Sequence, residues 1–218
     1  MGLANESSGG GNWLTVIRGE ISKRVTEGTE GAVERTTKMG KKVWELKYNA
    51  LEGTLTNIGV YEGDYGNQWI FTIADSHNEY KLTLPYSSGV ANGFLFRLPN
   101  INLEKPLKIK TYYIEGDDGI HRQFLSVLQD NEKILPYWTK DEPKELPPLG
   151  KVEVSGKKIL DDSKRLAYLR AIVDKKVNPK LKELYPIDNV VEVEPKEEHT
   201  KEPEPATNSE DEFNDLPF

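Results

Sequence analysis

Apolar residues along most of the chain recur at every second position, and at helical spacing in only two places. "WLTVIRGEISKRV" (Trp13–Val25) is rich in β-branched and aromatic residues and predicts an extra strand or arm. "VWELKYNALEGTLTNIGVY" (Val43–Tyr61) is long enough to form one strongly bent strand, with Gly53 as its bend or bulge. "WIFTIAD" places Trp69, Phe71 and Ile73 on one face. After a "DSHN" turn, "EYKLTLPY" does the same with Tyr80, Leu82 and Leu84, which predicts a hairpin. Val90, Phe94 and Leu98 then recur at four-residue steps, Ser87 or Ser88 can cap, and Pro99 stops the run, so a short helix is expected. "PLKIKTYYI" and "RQFLSVLQ" flank the turn "EGDDG" and predict a second hairpin.

Bent strand, hairpin, short helix, hairpin is the element order of a mainly β, five-stranded OB-fold barrel with its helix between strands 3 and 4. Phe94 and Leu98 would plug one end of that barrel. The expected organisation is a flexible lead-in over residues 1–12 and an OB-fold domain with an N-terminal extension over 13–138. Within that domain, "TEGTEGAVERTTKMGKK" reads as a polar, Gly-rich mobile loop. "KDEPKELPPLG" opens a Pro- and Lys-rich linker over 139–160. Leu166, Leu169, Val173 and Val177 form one stripe of an amphipathic helix, capped by Asp161 or Asp162, with Lys164, Arg165, Arg170, Lys175 and Lys176 on its outer side. Asn178-Pro179 suits the cap and first turn of a second helix ending near Tyr185, which completes a helical segment over 161–187. From Asp188 to Phe218, Glu and Pro dominate and the composition is that of a disordered acidic tail.

Charge sharpens this division. The net charge of −7 conceals a tail, residues 188–218, with eleven acidic and two basic side chains, and a slightly basic body of +2. Such asymmetry suggests a protein that handles polyanions or carries an interaction tail. The chain has no cysteine, which excludes disulfides and thiolate chemistry and fits a reducing, cytoplasmic setting. No apolar run approaches the ~20 residues of a membrane span. His77, His121 and His199 are scattered, and no metalloprotease, P-loop or nucleophile-elbow motif occurs, so the expectation is a non-enzyme without metal or cofactor.

Binding chemistry is better represented. On the strand Leu107–Ile114, alternation puts Lys108, Lys110 and Tyr112 on one face. Lysines can meet phosphates while a base stacks on the ring, the arrangement that single-stranded nucleic acid requires. Trp44, Leu46 and Tyr48 share a face that can serve as core or as stacking platform. Tyr65 is the candidate in the loop "YEGDYGNQW", and Lys38, Lys41 and Lys42 form a basic run able to follow a backbone.

The chain ends on "EDEFNDLPF". With an OB-like order and an acidic tail, this resembles the single-stranded DNA-binding proteins of bacteria and their phages, whose tails close on acidic residues, an apolar residue, Pro and Phe. Here that motif is Asp215-Leu216-Pro217-Phe218, preceded by Glu210, Asp211 and Glu212. "ANGFLFRLPNINLEKPLKI" is similar to the phage-encoded branch. The resemblance implies a protein that coats single-stranded DNA without sequence preference during replication, recombination and repair in the bacterial cytoplasm. It also implies that the tip, Asp215 to Phe218, recruits partner proteins of the replication machinery. The N-terminal extension and the basic helical segment depart from the simplest bacterial members and leave the oligomeric state open. The two other readings of the same residues are an OB-fold adaptor that binds protein and a single-stranded RNA-binding protein.

Overall fold

Arg18 and Gly19 both adopt positive φ, 49° and 74°, the geometry of a two-residue hairpin turn whose twist matches the strands it joins. The turn folds the N-terminal stretch into β1 (Asn12–Ile17) and β2 (Glu20–Val25). The structure is a computed structural model, and it describes residues 11–37, 39–63, 66–116, 119–154 and 157–186. Four further strands follow: β3 (Val33–Thr36), β4 (Lys42–Tyr48), β5 (Ala50–Tyr61) and β6 (Gln68–Ala74). After β7 (Glu79–Pro85) comes α1 (Gly89–Leu95), then β8 (Leu107–Glu115), β9 (His121–Gln129) and the short β10 (Glu132–Lys133).

These strands form one mixed sheet in the order β10-β9-β8-β5-β6-β7-β1-β2-β4-β3. The protein is therefore mainly β, but it is a ten-stranded open sheet and not a closed five-stranded barrel. Residues 12–48, which form β1 to β4, and the short β10 account for the difference. Leu14 and Ile21 are buried in the common core, so the β1–β2 hairpin is needed by the sheet and cannot stand apart as an arm. It joins through β1, which runs parallel to β7 with Leu14 opposite Leu82. The stretch Val43–Tyr61 is two strands separated at Asn49. β4 pairs with β2 and β3, whereas β5 pairs with β8 over Ala50–Gly53 and with β6 from Thr54 onward. Gly53 marks the change of partner, because a Cβ there would lie 2.6 Å from the Ala74 carbonyl oxygen. The polar loop also differs from expectation, since it contains edge strand β3.

The two hairpins and the short helix form where alternation and turn residues place them. Ser88 caps α1, its hydroxyl accepting from the Ala91 N–H at 3.1 Å. Phe94 enters the core against Phe71, with ring centroids 4.5 Å apart. Trp69 is wholly buried and donates its indole N–H to the Tyr86 carbonyl at 3.1 Å.

Residues beyond Trp138 also carry structure. A separate hairpin, β11 (Gly150–Val154) and β12 (Lys157–Asp161), lies within the stretch read as a linker. α2 (Ser163–Ile172) continues through a π turn, Val173–Val177, into α3 (Asn178–Leu184). The stripe Leu166, Leu169, Val173 and Val177 is buried as its spacing predicts, and Leu181 extends it. Asn178 does not cap. The Ile58 N–H donates to its Oδ1 (3.2 Å), and its Nδ2 donates to the Ile58 carbonyl (2.7 Å). Both groups lie just past a bulge in the β5–β6 ladder, on a strand whose β8 partner ended at Gly53. One side chain thus satisfies backbone groups that burial would otherwise leave unpaired. Asp162 occupies the α2 cap position without a side-chain bond, while Asp161 Oδ1 accepts from the Ser163 N–H at 3.0 Å. Among the described residues no helix is long and apolar enough to cross a membrane.

Candidate nucleic-acid interface

Strand β8 alternates as its sequence requires. Leu107, Ile109 and Thr111 are buried, and Lys108, Lys110 and Tyr112 lie on the opposite face. The register with β9 sets Leu128, Ser126 and Phe124 directly across from those three. Tyr112 and Phe124 form a cross-strand pair in which both rings stay open to solvent, 43% and 45% exposed. The phenol oxygen of Tyr112 shares a hydrogen bond with Ser126 Oγ at 3.0 Å, which fixes the ring on the sheet. Lys108 is partly neutralised by Glu52 at 2.9 Å. Lys110 forms no ion pair or hydrogen bond through its side chain among the described residues, so its charge is available to a ligand.

Lys110 stands opposite Ala50, and this links the face of β8 to the end of β4. A groove of about 350 Å³ opens there between β2 and the β4–β5 junction, lined by Ile21, Lys23, Tyr48, Ala50, Glu52 and Tyr80 among others. Tyr48 keeps 40% of its surface exposed. Lys23 donates to Asn12 Oδ1 at 2.7 Å and makes no ion pair among the described residues. Tyr80 donates to Asp75 Oδ2 at 3.2 Å, and burial, then this bond, push its phenol above the ordinary tyrosine range. Asp75 accepts the backbone N–H groups of His77 and Asn78, each at 2.7 Å, and these hold its carboxyl below the usual aspartate value.

The β1–β2 turn pins the groove's second wall against β8. Thr111 Oγ1 donates to the Gly19 carbonyl at 2.7 Å, and the Gly19 N–H donates to Gln123 Oε1 at 3.2 Å. A Cβ on Gly19 would lie 2.5 Å from the Tyr113 nitrogen, so only glycine allows the approach.

The candidates divide accordingly. Lys108, Lys110, Tyr112 and Tyr48 fall on one continuous region. Trp44 lies further along β4, half-buried between Val25 of β2 and Glu34 of β3. Lys42 pairs with Glu34 at 2.9 Å, and Lys41 is exposed at the start of β4. Both belong to the β3–β4 edge, away from Lys110. Lys38, Tyr65 and the tip Asp215–Phe218 lie outside the described residues. Sequence reasoning missed Phe124 and Lys23. Phe124 interrupts a strand whose register to β8 decides its face, and Lys23 sits in a hairpin whose turn carries no Asn-Gly or Asp-Gly signature. His121 stacks on Tyr113 at 4.8 Å. Among the described residues no cluster of His, Cys, Asp or Glu is arranged to hold a metal ion. Comparison with protein-family models, curated proteins and solved structures finds no match.

Proposed function

We propose that the protein binds single-stranded DNA without sequence preference, along the outer face of β8 and β9. The exposed pair Tyr112–Phe124 carries this reading. Two large rings left in water, side by side on a rigid ladder, offer stacking surface that any base can use. Lys110 and Lys108 lie next along the same face, spaced at ~7 Å as alternate residues of a strand, where they can meet successive phosphates. The composition of residues 188–218 supports a second part of the proposal. A −9 segment competes with DNA for the basic face and is displaced when DNA neutralises it. The segment Asp215–Phe218 then serves as the docking element for replication and recombination proteins, its Phe entering an apolar pocket rimmed by cations.

The reading is tested by anisotropy titration of the full chain against labelled oligo-dT at rising salt, with oligo-rU as competitor. Single-stranded DNA binding whose affinity falls log-linearly with salt supports it. Preferential capture by oligo-rU assigns the face to RNA, through the 2′-hydroxyl. No salt-sensitive binding to either polymer contradicts the proposal and favours a protein-binding adaptor.

A further inference from the structure

We infer that the groove between β2 and the β4–β5 junction receives one unstacked nucleobase, resting on the reading of the β8–β9 face as a single-strand platform. A groove near 350 Å³ is large enough to hold a base with room for solvent, and small ligand sites fall in this size range. Its surroundings suit that ligand. Tyr48 supplies a ring that is 40% exposed although it lies opposite Ile21, which is fully buried. An aromatic half-covered at the mouth of a groove is a stacking surface already partly desolvated.

One cation lines the groove beside the carboxylates of Glu52 and Asp75, and a second stands one ladder step away. Lys23 lines the groove on β2, held by Asn12 and, among the described residues, by no carboxylate. Lys110 stands across the ladder from Ala50, which also lines the groove. A phosphodiester running from the Tyr112–Phe124 platform past Lys110 reaches the groove, and Lys23 meets the phosphate on its far side. Asp75 and Tyr80 add oxygen acceptors where the exposed β6–β7 turn borders the groove, already oriented by their mutual hydrogen bond.

The closing wall is held by close packing. Gly19 abuts the Tyr112–Tyr113 backbone, so β2 cannot swing away from β8 without breaking the Thr111 and Gln123 bonds. The groove is therefore formed before a ligand arrives, which lowers the ordering cost of binding.

The test uses the full chain and a single-stranded oligo-dT carrying photoreactive 5-iodouracil. Irradiation of the wild-type complex should link the oligonucleotide to the peptide that contains Tyr48, as well as to β8 or β9. Tyr48→Ala should weaken binding by about ten- to a hundredfold, the scale of one lost stacking contact, while Tyr48→Phe should stay near wild type. Lys23→Gln should lower the log–log salt slope by about 0.7, one phosphate on a single strand. Cross-links confined to Tyr112 or Phe124, with Tyr48→Ala binding as wild type, would overturn the inference and leave the platform reading intact. Absence of salt-sensitive binding by the wild-type chain would remove both. Should Tyr48→Ala fail to fold, the cross-link map of the unaltered protein decides.

Discussion

Tyr112 on β8 and Phe124 on β9 stand directly opposite each other, and each keeps nearly half of its surface exposed. Cross-strand aromatic pairs stabilise a ladder by roughly 0.2–1 kcal/mol, which does not require such exposure. The residues around them show what burial looks like in the same ladder: Thr111 and Leu125, one step away, both face the core. The exposed rings thus lie on an outward face that also carries Lys110, whose side chain has no ion pair among the described residues.

Gly19 is predicted to be the least replaceable residue of the β1–β2 turn. Gly19→Ala must hold a left-handed φ and push the Tyr112–Tyr113 backbone aside. A loss of roughly 2–4 kcal/mol is expected, read from the midpoint of urea unfolding. A change below ~0.5 kcal/mol, the range of ordinary surface substitutions, would show that the hairpin does not press on β8 as described.

Asn178→Ala should destabilise the fold by about 1–3 kcal/mol, because it leaves the Ile58 N–H and carbonyl without their partner. Hydrogen exchange at the Ile58 amide should accelerate in parallel. Unchanged exchange there would mean that α3 is not tied to β5 through this side chain.

Asp75 gives a prediction for acid. Its folded pKa lies below the ordinary aspartate value because the carboxylate accepts from His77, Asn78 and Tyr80. The stabilisation from those bonds is therefore fully present above the unfolded-state pKa and is lost as pH falls through the lower, folded-state value. Carbon NMR of the Asp75 carboxyl should show a midpoint below the ordinary value, with the β6–β7 turn loosening only under that midpoint. A midpoint at or above the ordinary value would contradict the turn geometry.

Much of this architecture can be read from local pattern. The β6–β7 and β8–β9 hairpins and α1 announce themselves because alternation, turn residues and a serine cap agree within a few positions. β3 does not, since "VERT" has no periodicity of its own and exists by pairing with β4. The helical run is legible from its stripe, but its attachment to β5 is not, because Asn178 reads as a cap until Ile58 is seen beside it. The candidate interface follows the same division. Lys108, Lys110 and Tyr112 share a face by strand period alone, whereas Phe124, Lys23 and Tyr48 join them only through register and through the approach of Gly19. Those are long-range relations that composition and spacing do not encode.

Deleting residues 188–218 should tighten binding to single-stranded DNA, most at low salt where screening is weakest, because a −9 competitor has been removed. Thermal unfolding should not change, since the core made by the described residues ends with α3 and Tyr185. Weaker binding or a lower Tm after truncation would mean that the segment contributes to the fold and that the charge argument fails.

The central claim is tested most directly by the affinity of the Tyr112→Ala/Phe124→Ala double variant for a single-stranded oligonucleotide, measured beside the wild-type chain across a salt series and against duplex of the same sequence. Wild type should prefer the single strand. The double variant should lose roughly 1–3 kcal/mol for each ring removed while keeping the wild-type salt slope, because no charge has changed. Equal affinity of the two proteins for the single strand, or no wild-type preference over duplex, would contradict the account.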